Sequence, residues 1–146
     1  MWILLLSLVA QVFVIGCVPS PWWVPDFAVI GLVLAVVSAP AQWFVLSLVA
    51  GLWMMSWAIR FPETILLSYL MLGWVVRLLV RRVDVADGRV QWIIAGTASV
   101  LMTFGALWLD GLWSLSLLGL ASGHVVITIL ALPLVRGLVD RRPRPL

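Results

Sequence analysis

The chain alternates between long apolar runs and short polar gaps. Six runs can be bounded, at residues 2–18, 27–39, 42–59, 63–80, 90–109 and 112–135. Within them the sequence is close to unbroken hydrocarbon. That is the pattern of helices whose solvent is lipid, where every backbone polar group must be satisfied inside the element. The gaps carry breaker chemistry. Pro19, Pro21 and Pro25 stop any helix between the first two runs. Pro40 breaks the second run, and Pro62 suits the first turn of the fourth. Arg81 to Arg89 is the longest internal polar stretch, and Asp110-Gly111 makes a tight turn. Residues 136–146 read as an Arg-rich tail that frays in water. The second run is short, so a half-length or tilted helix packed against protein is expected there. The alternative is one kinked helix over Phe27–Ile59, which would leave five spans and put the termini on opposite sides.

Composition agrees with lipid as solvent. Hydrophobic residues make up 64% of the 146 positions and charged residues 10%, with a mean hydropathy of +1.20. A soluble domain of this size could not hide so much apolar surface. Six spans would place roughly 120 residues in lipid, which leaves one membrane domain and no soluble one. The fold class expected is therefore an all-α polytopic membrane protein.

Charge sets the expected orientation. All 9 basic residues are Arg. With six spans, Arg77, Arg81, Arg82, Arg89, Arg136, Arg141, Arg142 and Arg144 share one side and only Arg60 lies on the other. The positive-inside rule then makes the C-terminus cytoplasmic, and the six-span count puts the N-terminus on the same side. The net charge of +3 is a topology signal rather than a nucleic-acid one, because the arginines flank apolar spans. Tryptophan supports the register. Trp22, Trp23, Trp57, Trp108 and Trp113 fall near outer ends, and Trp2, Trp43, Trp74 and Trp92 near inner ends, where indole prefers to sit. Only Trp53 is mid-span. Val14-Ile15-Gly16-Cys17 has the look of a lipoprotein processing box. It lacks a positive n-region, so the segment reads as an uncleaved span, with lipidation at Cys17 as the alternative.

Few polar residues lie within the spans. His124 is the one histidine, deep in the sixth. Thr128 lies one turn on, and Gly119 and Gly123 form a G-x-x-x-G before it. The expected arrangement is a close helix crossing with His124 hydrogen-bonded across it, set against proton relay or pigment ligation. No carboxylate is expected to share the membrane core with it. Ala95, Ser99 and Thr103 put small residues along one face of the fifth span, either for packing within the chain or for a partner. Gly31-x-x-x-Ala35 reads the same way. Gln11 and Gln42 can pair with backbone groups. Arg77 and Arg81, with Arg82, are expected to snorkel to anionic lipid headgroups, with Trp22 and Trp23 as interface anchors. Asp26, Glu63 and Asp110 read as solvated turn or helix-start residues. No phosphate loop, nucleophile elbow, metal-spaced cluster or cofactor motif is present, so neither catalysis nor a cofactor is expected.

Val24-Pro25-Asp26-Phe27, a short apolar span to Pro40, a span with Gly51, then Phe61-Pro62-Glu63 and a span with Tyr69 and Gly73 together resemble the MreD family of rod-shape-determining proteins. The resemblance covers about Val24 to Arg77. It implies a small polytopic inner-membrane protein, similar in architecture to the six-helix S components of energy-coupling-factor transporters. It also implies a non-enzymatic scaffold in cell-shape or wall-elongation machinery, with other integral membrane proteins, MreC-like ones among them, as partners. Two further readings stand beside it. One is a small-molecule carrier of S-component type, with an outward pocket lined by polar residues and Trp53. The other is a lipid- or pigment-binding accessory subunit of a larger complex.

Overall fold

A computed structural model describes residues 1–57, 62–83, 87–109, 111 and 114–140. It contains six α-helices and, among the described residues, no strand. They are α1 (Trp2–Cys17), α2 (Phe27–Ser38), α3 (Trp43–Ser56), α4 (Pro62–Val80), α5 (Gly88–Leu109) and α6 (Leu115–Asp140). Short 3₁₀ turns at Pro21–Trp23 and Pro40–Gln42 lead into α2 and α3.

The bundle is organised around α2. Its residues Ala28 to Val36 are all buried. A helix that is apolar all round belongs in an interior, and α2 touches α1, α3, α4, α5 and α6. Its 12 residues span about 18 Å, well short of the roughly 30 Å of a bilayer core. The expectation of a half-length helix packed against protein therefore holds. A single kinked helix over Phe27–Ile59 does not form. Ala39, at φ −142° and ψ 69°, leaves the helical region, and Pro40 opens a separate turn.

Small residues set how closely the helices meet. α1 buries Leu4, Ser7, Leu8 and Gln11, one face at helical spacing. Ser7 abuts Gly31 of α2, and a Cβ on Gly31 would meet the Ser7 hydroxyl at 2.6 Å. α3 and α4 form an antiparallel pair with two such contacts. Gly51 lies under Leu66, and Gly73 lies against Ser47, where a side chain would collide with the hydroxyl. Ser47 donates that hydroxyl to its own backbone at Trp43 O, 2.7 Å away. Consecutive helices alternate in direction. One end of the bundle therefore gathers the start of α1, the Ser38–Gln42 turn, the end of α4 with Arg77, Arg81 and Arg82, and the start of α5 with Arg89, and the other gathers the ends of α1 and α3 and the start of α6.

Three stretches, Pro62–Val80, Arg89–Trp108 and Leu115–Gly137, are long and apolar enough to cross a membrane. Trp2–Cys17, Phe27–Ser38 and Pro40–Ser56 are shorter apolar helices. The architecture is that of an all-α membrane protein. Two boundaries differ from expectation. α6 begins at Leu115, because the Ser114 hydroxyl caps it by accepting from Leu117 N at 3.2 Å. It also continues through Pro133 to Asp140, so residues 136–140 are helix rather than frayed tail. Gly111 does take the turn conformation, at φ +65°. Arg60, Asp110, Trp113 and residues 141–146 lie outside the described residues.

The Gly73 contact predicts a sharp contrast. Gly73→Leu should lower stability by about 1–3 kcal/mol through overpacking, read as a fall in the unfolding midpoint in mild detergent. Gly105→Leu, where a Cβ meets nothing within 4 Å, should leave the midpoint near wild type.

Candidate functional site

The start of α2 is the polar centre of the molecule. The first turn of any helix carries N–H groups without intrahelical acceptors. Here three side chains from three parts of the chain receive them. Asp26 is the N-cap, and its Oδ1 accepts from Val29 N at 3.0 Å. Gln11 of α1 accepts from Phe27 N through Oε1 at 2.7 Å. Thr128 of α6 accepts from Asp26 N through Oγ1 at 2.9 Å and donates its own hydroxyl to His124 O, also at 2.9 Å.

Thr128 lies near the middle of α6. The segment from Val24 to Asp26 therefore dips into the bundle, and the Pro21–Trp23 turn lies on α6. This sets the Trp22 ring edge-on to His124, with centroids 6.3 Å apart and planes at 88°.

A partly open cavity of about 380 Å³ adjoins this point. Asp26, Trp22, His124, Tyr69 and Thr103 supply its polar lining, and apolar side chains such as Met54, Ile65, Met102 and Leu107 supply the rest. The Nδ1 atom of His124 is buried and has no hydrogen-bond partner among the described residues. It donates or accepts according to tautomer. A carboxylate, an imidazole, a phenol, a hydroxyl and an indole thus converge on an apolar cavity, the usual make-up of a small-ligand site. Among the described residues no three potential metal ligands cluster.

Several expectations change here. His124 does share the interior with a carboxylate, because Asp26 lines its cavity instead of sitting solvated at the rim. The signal was the length of α2. A helix too short to cross, entered from a proline-rich gap, has to begin at depth. Among the described residues His124 Nδ1 has no hydrogen-bond partner and a Cβ on Gly119 or Gly123 meets nothing within 4 Å, so the expected close crossing does not form there. Trp22 packs inside rather than anchoring an interface, whereas Trp23 is 63% exposed, as an anchor should be. Trp53 is 39% exposed and does not line the cavity, a place taken by its neighbour Met54.

The small-residue face of α5 divides. Ala95 and Ser99 are buried in the core, while Thr103 faces the cavity. Arg77 does not snorkel freely, because its guanidinium lies over the Trp43 ring, 5.4 Å from the centroid. Arg81 and Arg82 are exposed. Gln11 pairs with backbone as expected. Tyr69 entered the reading only through the family resemblance, and nothing in its local sequence marks it as a cavity residue.

The capping geometry separates shape from charge at Asp26. Asp26→Ala should cost about 0.5–2 kcal/mol, while Asp26→Asn, which keeps the acceptor, should cost a few tenths. Thr128→Val should cost about 1–3 kcal/mol by stranding the Asp26 N–H. Unfolding midpoints of the three variants in detergent check the order. Equal losses for Asn and Ala would place the stabilisation in the charge.

No family model, curated protein or solved structure matches the chain in comparisons with each.

Proposed function

We propose that this chain is a non-enzymatic, multi-pass subunit of the bacterial inner membrane that docks other integral membrane proteins in the cell-shape or wall-elongation machinery, as its resemblance to MreD implies. The observation that carries this reading is the unfilled G-x-x-x-G of α6. Gly119 is exposed, and among the described residues no atom comes within 4 Å of a Cβ on Gly119 or Gly123. In lipid, small residues four apart are where a second helix comes close. None of the described helices fills that notch, which leaves it open to a partner such as an MreC-like protein with one span. The residues that carry the resemblance support the reading as well. Asp26 caps α2, Gly51 and Gly73 set the α3–α4 contact, and Tyr69 lines the cavity.

In this reading the arginine end is cytoplasmic and meets anionic lipid, and both termini are inside. A second reading, a small-molecule carrier of S-component type, is favoured by the cavity between Asp26, His124 and Tyr69.

Co-purification in mild detergent separates the two. Recovery of a single-span MreC-like protein, lost in Gly119→Ile and Gly123→Ile but kept in Asp26→Asn, supports docking. Recovery of a vitamin-like ligand together with ATPase subunits would replace it with the carrier reading. Topology has its own check. In a Cys17→Ser background, cysteine at Ser20 should label from outside and cysteine at Asp87 from inside. Labelling of both from one side sinks the six-span arrangement.

A further inference from the structure

A second cavity lies between α4 and α5 toward the arginine end. These helices are consecutive yet barely touch along this stretch. The space between them is about 360 Å³ and almost wholly apolar, walled by Leu72, Val76 and Leu79 on one side and Ile94, Ala98 and Leu101 on the other. Its arginine end lies at Val83 and Val90. An exposed arginine immediately precedes each of these valines, Arg82 on one wall and Arg89 on the other, with exposed Arg81 beside them. We propose that this groove holds an acyl chain of an anionic phospholipid, with the phosphodiester held between Arg82 and Arg89.

Length and lining select this occupant. From Val90 to Leu101 the groove climbs about 16 Å along α5. That is close to the roughly 15 Å depth of one leaflet, half the hydrocarbon core. Above it the lining changes character. Met102 and Thr103, the next residues on α5, belong to the cavity of Asp26 and His124. A partner helix crossing both leaflets along this seam would have to cover those polar groups, whereas a single acyl chain ends below them.

Charge selects the headgroup. The guanidinium fork matches a phosphate oxygen pair, and a hydrogen bond to a charged group is stronger than one to a neutral dipole. Among the described residues the acidic one at this mouth is Asp87, which accepts from Arg89 N at 2.9 Å and so is engaged as a cap. Arg77, on the opposite side of α4, lies over Trp43 and takes no part. The site rests on the membrane placement of the chain but not on its docking role, so lipid retention and partner recovery can fail separately.

The test is native mass spectrometry of the full chain, reconstituted with phosphatidylglycerol or phosphatidylcholine of matched chains and released in mild detergent. Wild type should retain phosphatidylglycerol about tenfold better, the worth of one charge-assisted hydrogen bond. Arg82→Gln with Arg89→Gln should bring retention down to the phosphatidylcholine level, and Arg77→Gln should leave it unchanged. Thr97→Trp, made at an exposed position on the groove wall, should abolish retention of both lipids. If that variant does not fold, Ile93→Trp, from a position 68% exposed on the same wall, takes its place. Undiminished retention with the groove filled overturns the proposal. So does an equal loss in Arg77→Gln, which would mean diffuse attraction to the rim. Displacement of the lipid by glycerophosphate alone would reduce the site to a phosphate contact, and crosslinking of a partner helix to Thr97 would give the groove to protein; either result overturns it.

Discussion

A helix that begins inside a membrane protein presents N–H groups where there is no water to receive them. The structure depends on how this is solved at α2. Because α2 is enclosed by five helices and too short to reach both faces of a bilayer, its first turn cannot be left to solvent. Gln11, Asp26 and Thr128 each take one donor. Doing so brings α1 and α6 to the same point and draws the segment from Val24 to Asp26 into the bundle. The cavity follows from that inward dip, since it places Trp22 and Asp26 opposite His124 rather than at the surface.

The remaining polar groups are handled more locally. Ser38, Ser47, Ser68 and Ser122 each donate to the carbonyl four residues back, at 2.7 to 2.8 Å, so their hydroxyls are satisfied without a partner helix. This leaves the contact faces small and apolar, which is what Gly31, Gly51 and Gly73 exploit. In lipid there is little hydrophobic force between helices, so close backbone approach supplies the attraction through packing. Against that background the unpartnered Nδ1 of His124 and Oγ of Ser99 stand out as the exceptions among the described residues. Buried polar atoms without partners are costly to keep. The His124 side chain borders the cavity although its Nδ1 is enclosed, and nothing in the structure explains the one in the core.

Element identity was legible in the sequence, because runs of hydrocarbon between prolines and charges admit few alternatives. The starts of α2 and α4 fall within a residue of expectation, fixed by Asp26 as a cap and Pro62 as a first-turn residue. The ends of α6 were missed for the same kind of reason. Ser114 is a cap hidden among apolar neighbours, and Pro133 does not break a helix that packing supports. The site was only partly legible. His124 and Thr128 stood out as polar residues in an apolar run, and Thr103 as part of a small-residue face. Asp26 was misplaced because depth was read from position along the chain, whereas depth here follows from the length of the next helix. The meeting of Asp26 with Thr128 depends on how α6 packs against α2, and no local pattern encodes that.

The bond from Asp26 to Thr128 joins residues 102 apart in sequence. A ribosome adding roughly 5–20 residues per second makes Thr128 roughly 5–20 s after Asp26. Through that interval the central helix is present but its inner cap is not. α1 can close one side of α2 early, through Gln11 and Ser7, while the other side waits for α6. Completion of the interior is thus tied to the synthesis of α6. A nascent chain stalled before α6 would keep an unpaired backbone N–H at depth, a defect that membrane quality control could read as the sign of an unfinished protein.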